Sequence, residues 1–240
     1  MKFSIQRSMG IAIVAATGLL TGCATKFERQ GFDGKAAAGI NKLTLAQWND
    51  QEENRAVIIN HPGMSMGLIG AAIAAADTSN KTGKLNTAVP PESAKVTSAF
   101  YNDLLPMLKG MGYEVTLVPA KRGDKVDDVK AAVNKPQGQD ASLFLTISAG
   151  YYALNGSSDY FPATTLNATL TDAKSGKVLY NDIIQYGFNP GNNDMSFVRA
   201  ANDCKFKDID ALTANPATTR TCLMAGTTLL AKELANELKK

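Results

Sequence analysis

Few side chains in this 240-residue chain have the chemistry to react, and three of them are thiols. Cys23 follows Leu20-Thr21-Gly22 directly, at the end of an apolar run from Met9 to Leu20. Cys204 and Cys222 lie near the C-terminus and are open to use as a disulfide, as two free thiols or as metal ligands. With a single histidine in the chain and no Cys-x-x-Cys, the metal reading is poorly supported. That histidine, His61, begins His-Pro-Gly. A general base there needs a nucleophile and an orienting acid, and no such motif surrounds it, so the tripeptide reads as a turn. No Gly-x-Ser-x-Gly, His-Glu-x-x-His, phosphate loop or dinucleotide fingerprint is present. Asp124, Asp127 and Asp128 read as a solvated helix start, without the glycine and terminal glutamate of an EF-hand loop. Tyr151, Tyr152, Tyr160 and Phe161 cluster in sequence and either cap a core or form a recognition surface. No acidic pair accompanies them as glycoside hydrolysis requires. The expectation is a binding protein without cofactor or metal, not an enzyme.

The first of the three thiols carries the most information. Lys2 and Arg7 precede the apolar run, which is too short to cross a bilayer, a task for about 20 apolar residues. Leu20-Thr21-Gly22-Cys23 resembles the lipobox of bacterial lipoproteins. That resemblance implies removal of residues 1–22 as a signal peptide. It also implies a thioether-linked diacylglyceryl on Cys23 and an acyl chain, typically palmitate, on its amine. Ala24 in place of Asp implies sorting to the outer membrane, with the body of the protein in the periplasm. Several acyl chains meet the requirement for stable anchoring, since one chain binds only marginally. Removing the leader's two basic residues takes the 25 basic residues to 23 against 22 acidic ones, a formal charge of +1. No basic stripe is left to bind nucleic acid. In an oxidising compartment the remaining even pair, Cys204 and Cys222, is expected to form a disulfide.

The elements that must position these residues follow from periodicity. Residues 23–54 read as a lipid-anchored tether, with Leu43, Leu45 and Trp48 docking onto a domain or Trp48 resting at the membrane surface. The single domain is expected over 55–240. It opens with a short buried strand, Arg55 to Asn60. Gly63 to Ala76 is uncharged, with small residues at Gly63, Gly67 and Gly70, the spacing of close helix packing. It is either a helix buried in the domain or an interface that self-associates, meets a partner or dips into lipid. Asp77 to Pro91 reads as a polar linker, and Glu92 to Gly110 as an amphipathic helix kinked at Pro106. Tyr113 to Val118 reads as a strand parallel to the first one through a βαβ crossover. A short helix within Lys121 to Lys135 follows. Then come three antiparallel strands, Ala141–Tyr152, Thr164–Asp172 and Val178–Phe188, the last two joined by an Asp-Ala-Lys-Ser-Gly-Lys turn. Met195 to Ala201 reads as a helix start, Asp203 to Ala217 as irregular, and Thr218 to Lys240 as a helix with a Leu223, Leu230, Leu234, Leu238 stripe. The fold class is α/β in the α+β sense, order β-α-β-(α)-β-β-β-α, on a mixed sheet.

The hairpin Leu166 to Asp182, LNATLTDAKSGKVLYND, resembles the strand–turn–strand of a group of periplasmic lipoprotein domains. The group includes the N-terminal domain of the Tol translocation protein, penicillin-binding-protein activator lipoproteins and the curli secretion channel lipoprotein. The resemblance implies action by protein–protein interaction in envelope assembly or maintenance, with a periplasmic protein as partner. An oligomeric subunit of a secretion or transport assembly is the alternative, and a cell-wall-acting enzyme is a third reading. Gly63 to Ala76 lacks the alternation of a transmembrane β-hairpin, so pore formation is not expected.

Overall fold

A computed structural model describes residues 27–135, 138–189, 191 and 194–239. The expected signal peptide and Cys23 lie outside the described residues. In chain order the elements are β1 (Lys42–Trp48), β2 (Arg55–Ile58), α1 (Gly67–Ala88), α2 (Pro91–Ala94), α3 (Val96–Gly110), β3 (Glu114–Ala120), α4 (Val126–Val133), β4 (Ala141–Ala153), β5 (Phe161–Asp172), β6 (Val178–Gly187), β7 (Ser196–Val198), α5 (Ile209–Ala214) and α6 (Pro216–Glu237). The strands form one mixed sheet in the order β3-β1-β4-β5-β6-β7. β2 also pairs with β4, beyond the point where β1 leaves it.

The antiparallel centre forms as expected, β4 and β5 from their alternation and β6 as the strand returning from the Asp172 to Lys177 turn. Leu143, Leu145, Ile147, Leu166, Ala168 and Leu170 point into the main core, together with Phe100, Leu104 and Leu108 of α3 and Leu223, Leu230 and Leu234 of α6. α6 comes very close to the sheet at Gly226, where an added Cβ would lie 2.5 Å from Thr164 Oγ1 and 2.7 Å from Tyr186 Cδ1. α4 covers the opposite face over a smaller core of Ala46, Trp48, Ala120, Val129 and Val133.

Six expectations are corrected. Asp203 to Ala217 is not irregular: it holds the helix α5, capped by Asp208, and the start of α6 at Pro216. Residues 23–54 are not all tether: Gln30 bridges to Asn181, and β1 lies between β3 and β4 in the sheet. β1 was obscured because it is buried on both faces, Leu43 and Leu45 in one core and Ala46 and Trp48 in the other. Trp48 is a packing residue whose Nε1 donates to Leu145 O at 2.6 Å. β3 is parallel to β1, not to the Arg55 strand. Asp77 to Ala88 is helix, the second half of α1, attached by Thr82 and Leu85 while its polar residues face water. The Glu92–Gly110 helix is two, broken at Lys95, whose φ is +47°. Met195 to Ala201 contains a strand, β7, parallel to β6; three residues held by backbone pairing need no hydrophobic period.

Candidate functional site

β2 and α1 together build the largest concavity described. The C-terminal half of α1 is tied to β2 by side chains that satisfy backbone donors. Ala56 N donates to Thr82 Oγ1 at 3.1 Å, and Asn54 N donates to Asn86 Oδ1 at 2.7 Å. Gln51 fixes the strand's approach by donating to Asn54 Oδ1 and Ala149 O and accepting from Ala149 N. Above these ties the two elements leave a cavity of about 860 Å³, with Val57, Ile58 and Ile59 on one wall and Ala71, Ala75 and Ser79 on the other. Glu53 and Arg55, an ion pair at 2.7 Å, also line it.

The N-terminal half of α1 is attached differently. A 3-10 turn, Pro62–Ser65, folds back onto it, and the two meet backbone to backbone at glycines. A Cβ on Gly70 would lie 2.0 Å from Gly63 O, and one on Gly63 2.4 Å from Gly70 O. Gly67 starts the helix at φ +64°, a conformation that favours glycine. The side chains around this joint point outward: Leu68 is 91% exposed, Ile69 79%, Met66 70% and Met64 64%, with Ile73 and Ile59 also exposed. Leu154, beside the end of β2, and Phe197 of β7 are exposed at the same end of the sheet. Among the described residues, the other large exposed hydrophobics are Val126 and Leu229. Burying one such side chain on a partner surface is worth about 1.5–3 kcal/mol, and a contiguous set marks an interaction face.

His61 caps the 3-10 turn. Its Nδ1 accepts from Gly63 N–H at 3.0 Å, which leaves the proton on Nε2, and Nε2 faces Asp77 Oδ2 at 3.4 Å. Lys81 pairs with the same Asp77 oxygen. Both ring nitrogens are therefore engaged, and the imidazole has no free acceptor with which to activate a nucleophile. Among the described residues, no group of three or more His, Cys, Asp or Glu side chains is arranged to hold a metal.

The residues singled out from sequence divide. Gly63 and Gly70 are buried and serve this intrachain joint, so they are not interface residues; Gly67 lies at the surface. Tyr151 and Tyr160 are core. The Tyr151 hydroxyl donates to Thr219 O at 2.6 Å, its ring meets Phe206 edge-on, and burial raises its pKa. Tyr160 pairs with Phe206 through the backbone, and its pKa is pushed up to about 12, by burial first and then by the charges of Asp77 and Asp208. Tyr151 is turned inward by its place in β4, and Tyr160 is held inward by its bridge to Phe206. Tyr152 and Phe161 are half-buried, Tyr152 against Phe188. Cys204 and Cys222 form a disulfide that joins the 3-10 turn Asn202–Cys204 to α6, with Cα atoms 5.5 Å apart. The exposed residues that sequence reading passed over, Met64, Met66, Leu68, Ile69 and Ile73, are interleaved with the glycines it chose. Their signal was the absence of charge across the stretch.

No family model matches the chain, and no curated protein matches it. Among solved structures it is similar to protein XCC0632 of Xanthomonas campestris, described under family model DUF330, at 11% identity and a TM-score of 0.34, over 89% of each chain. It is also similar to lipoprotein GNA1162 of Neisseria meningitidis at 15% identity and a TM-score of 0.28, over 64% of this chain and 86% of that one. A Helicobacter pylori homolog of a neuraminyllactose-binding hemagglutinin matches at 11% identity and a TM-score of 0.32, over 90% of this chain and 91% of that one. One of the three is thus a bacterial lipoprotein, and scores this low carry no argument about function.

Proposed function

We propose that the chain is a lipid-anchored protein of the outer membrane, facing the periplasm, that works by binding another protein and not by catalysis. The observation that carries the binding reading is the cleft between β2 and α1. It is large enough to take a peptide segment, it is walled by apolar and small side chains, and β2, which pairs with β4 on one side, fronts it at Val57 and Ile58. Extended peptides bind strand edges through main-chain hydrogen bonds, with adjacent apolar walls choosing side chains. The one histidine at the cleft is committed to a turn and to Asp77, which favours recognition over proton transfer. The lipobox-like Leu20 to Cys23 supports the anchor, and the β5–β6 hairpin supports a resemblance to periplasmic interaction domains.

The test is a photo-crosslinking residue at Ser79, an exposed position on the α1 wall, in cells that otherwise carry the intact protein. One discrete adduct with a second periplasmic protein is the expected result, abolished by a bulky charge opposite it, Val57→Glu, in a variant that still folds. A ladder of adducts between copies of this chain would favour the assembly reading. Absence of any adduct would remove the cleft from the account. Independently, Cys23→Ser should move the protein from the membrane to the soluble periplasmic fraction.

A further inference from the structure

The apolar end of the domain has a position relative to the anchor that follows from chain geometry. Gln30 exchanges backbone hydrogen bonds with Asn181 at 2.8 and 2.9 Å, and Asp33 N donates to Leu179 O, so this segment runs antiparallel to β6. Followed back toward the N-terminus, it heads for the Gly187 end of β6. That end adjoins the start of β5, the end of β4 and, through Ala153 and Leu154, the end of β2. Seven peptide links join Gln30 to Cys23, a reach of at most about 25 Å. The six residues from Asn181 to Gly187 already span about 20 Å. The described links from Gln30 back to Phe27 run toward Gly187, with Arg29 reaching Asp182 and Ser196. The four links left to Cys23, about 14 Å, therefore reach the Gly187 end of the sheet and not the Val178 end. A lipid on Cys23 holds the domain close against the bilayer at that end.

That is the end where the apolar tip overhangs. From the Thr82–Ala56 bond, α1 runs 15 residues, about 22 Å, to Gly67. β2 ends at Ile58, and the chain stays hydrogen-bonded beside the end of β4 only as far as Asn60, four residues or about 13 Å from Ala56. The first turns of α1 and the 3-10 turn thus project past the strands, with Leu68 and Ile69 the most exposed large side chains, and Leu154 and Phe197 are exposed at the same end. Pro62 to Ala76 holds no charged side chain, so no ionised group has to be desolvated for the tip to enter an interface.

We propose that this tip rests in the interfacial layer of the membrane that carries the Cys23 lipid, so that the domain is held by two contacts in a fixed orientation, with the β5–β6 turn pointing away from the bilayer. The inference rests on the lipid-anchor reading and gives it an orientation. Apolar side chains of a surface-bound helix sink about 5–10 Å into the boundary between headgroups and acyl chains, and a second contact converts marginal binding into stable binding.

The test uses the mature acylated protein reconstituted into phosphatidylethanolamine–phosphatidylglycerol vesicles. Because Cys23 is blocked by lipid and Cys204 by Cys222, Ile69→Cys and Lys174→Cys each introduce one free thiol for an environment-sensitive fluorophore. Both positions are exposed, so neither change disturbs the core. The label at 69 is expected to emit in the blue and to be quenched by brominated acyl chains, as insertion at the boundary between headgroups and acyl chains requires. The label at 174, in the β5–β6 turn, should remain aqueous and unquenched. Aqueous emission at 69 from acylated, vesicle-bound protein would overturn the tip contact and leave the anchor standing. A blue-shifted label at 69 untouched by the brominated lipid would assign the tip to a second copy and also overturn the proposal. An unacylated mass for Cys23 would overturn the anchor and this inference with it.

Discussion

At the scale of single residues, the informative side chains are those whose partners could not be guessed from spacing. Asp140 is one. Its Oδ2 accepts from Asn41 N and Lys42 N, both at 2.9 Å, and so pins the start of β1 beside the start of β4. These two backbone donors lower its pKa from the usual 3.8. A carboxylate with a depressed folded-state pKa contributes stability that is fully present above its unfolded pKa and is lost as pH falls through the folded value. Asp140→Ala should therefore cost about 1 kcal/mol at neutral pH, since charged hydrogen bonds are worth more in isolation but this carboxylate is partly solvated. In urea titrations the gap between wild type and variant should hold from pH 7 to 5 and close below about pH 4. A gap independent of pH would show that the carboxylate's charge plays no part. The glycines of the tip make a related point: Gly63 and Gly70 share the spacing of a helix-packing motif, yet the surface they let approach is each other's backbone.

At the scale of elements, legibility tracked how many faces an element shows to water. β4 from Leu143 to Ala149 and β5 from Thr164 to Leu170 alternate, and the Leu223, Leu230, Leu234 stripe of α6 lies where its period puts it, because each presents one buried side. α1 was half legible. Its apolar start stood out, but the polar residues after Asp77 hid a continuous helix held by Gly70, Ala74, Thr82 and Leu85 alone. The Cys204–Cys222 bond works at this scale too, tying the 3-10 turn Asn202–Cys204 to α6, two residues from Phe206, which packs edge-on against Tyr151. In the chain-entropy view, closing a loop of this length is worth about 3 kcal/mol. Replacing both cysteines with alanine should lower the unfolding free energy by that amount, and reductant should bring wild type to the same midpoint. Coincident melts of the oxidised protein and the double variant would rule this out.

At the scale of the whole molecule, the domain begins earlier than its pattern indicates. Because β1 is paired on both sides, by β3 and by β4, a chain beginning at Arg55 loses the strand that joins β3 to the rest of the sheet. It should show no cooperative thermal transition, whereas the chain from Ala24 should melt in one step. A cooperative melt of the shorter chain would return residues 24–54 to the role of tether. On the proposed lipid anchor, the four peptide links from Phe27 to Cys23 would reach about 14 Å, which would stand the domain on the membrane surface.

What the sequence determined by itself is local: the lipobox-like Leu20 to Cys23, the alternation of the central strands, the turn Asp172 to Lys177, the stripe of α6 and the pairing of the two remaining cysteines. Each depends on neighbours a few residues away or on simple counting. The tertiary structure alone decided that Leu43 to Trp48 is an interior strand, that Tyr151 and Tyr160 are core, and that Gly63 and Gly70 face each other while Leu68 and Ile69 face out. Those outcomes depend on which distant segment covers which face, as α4 and α3 cover the two sides of β1. Burial of that kind leaves no period in the chain.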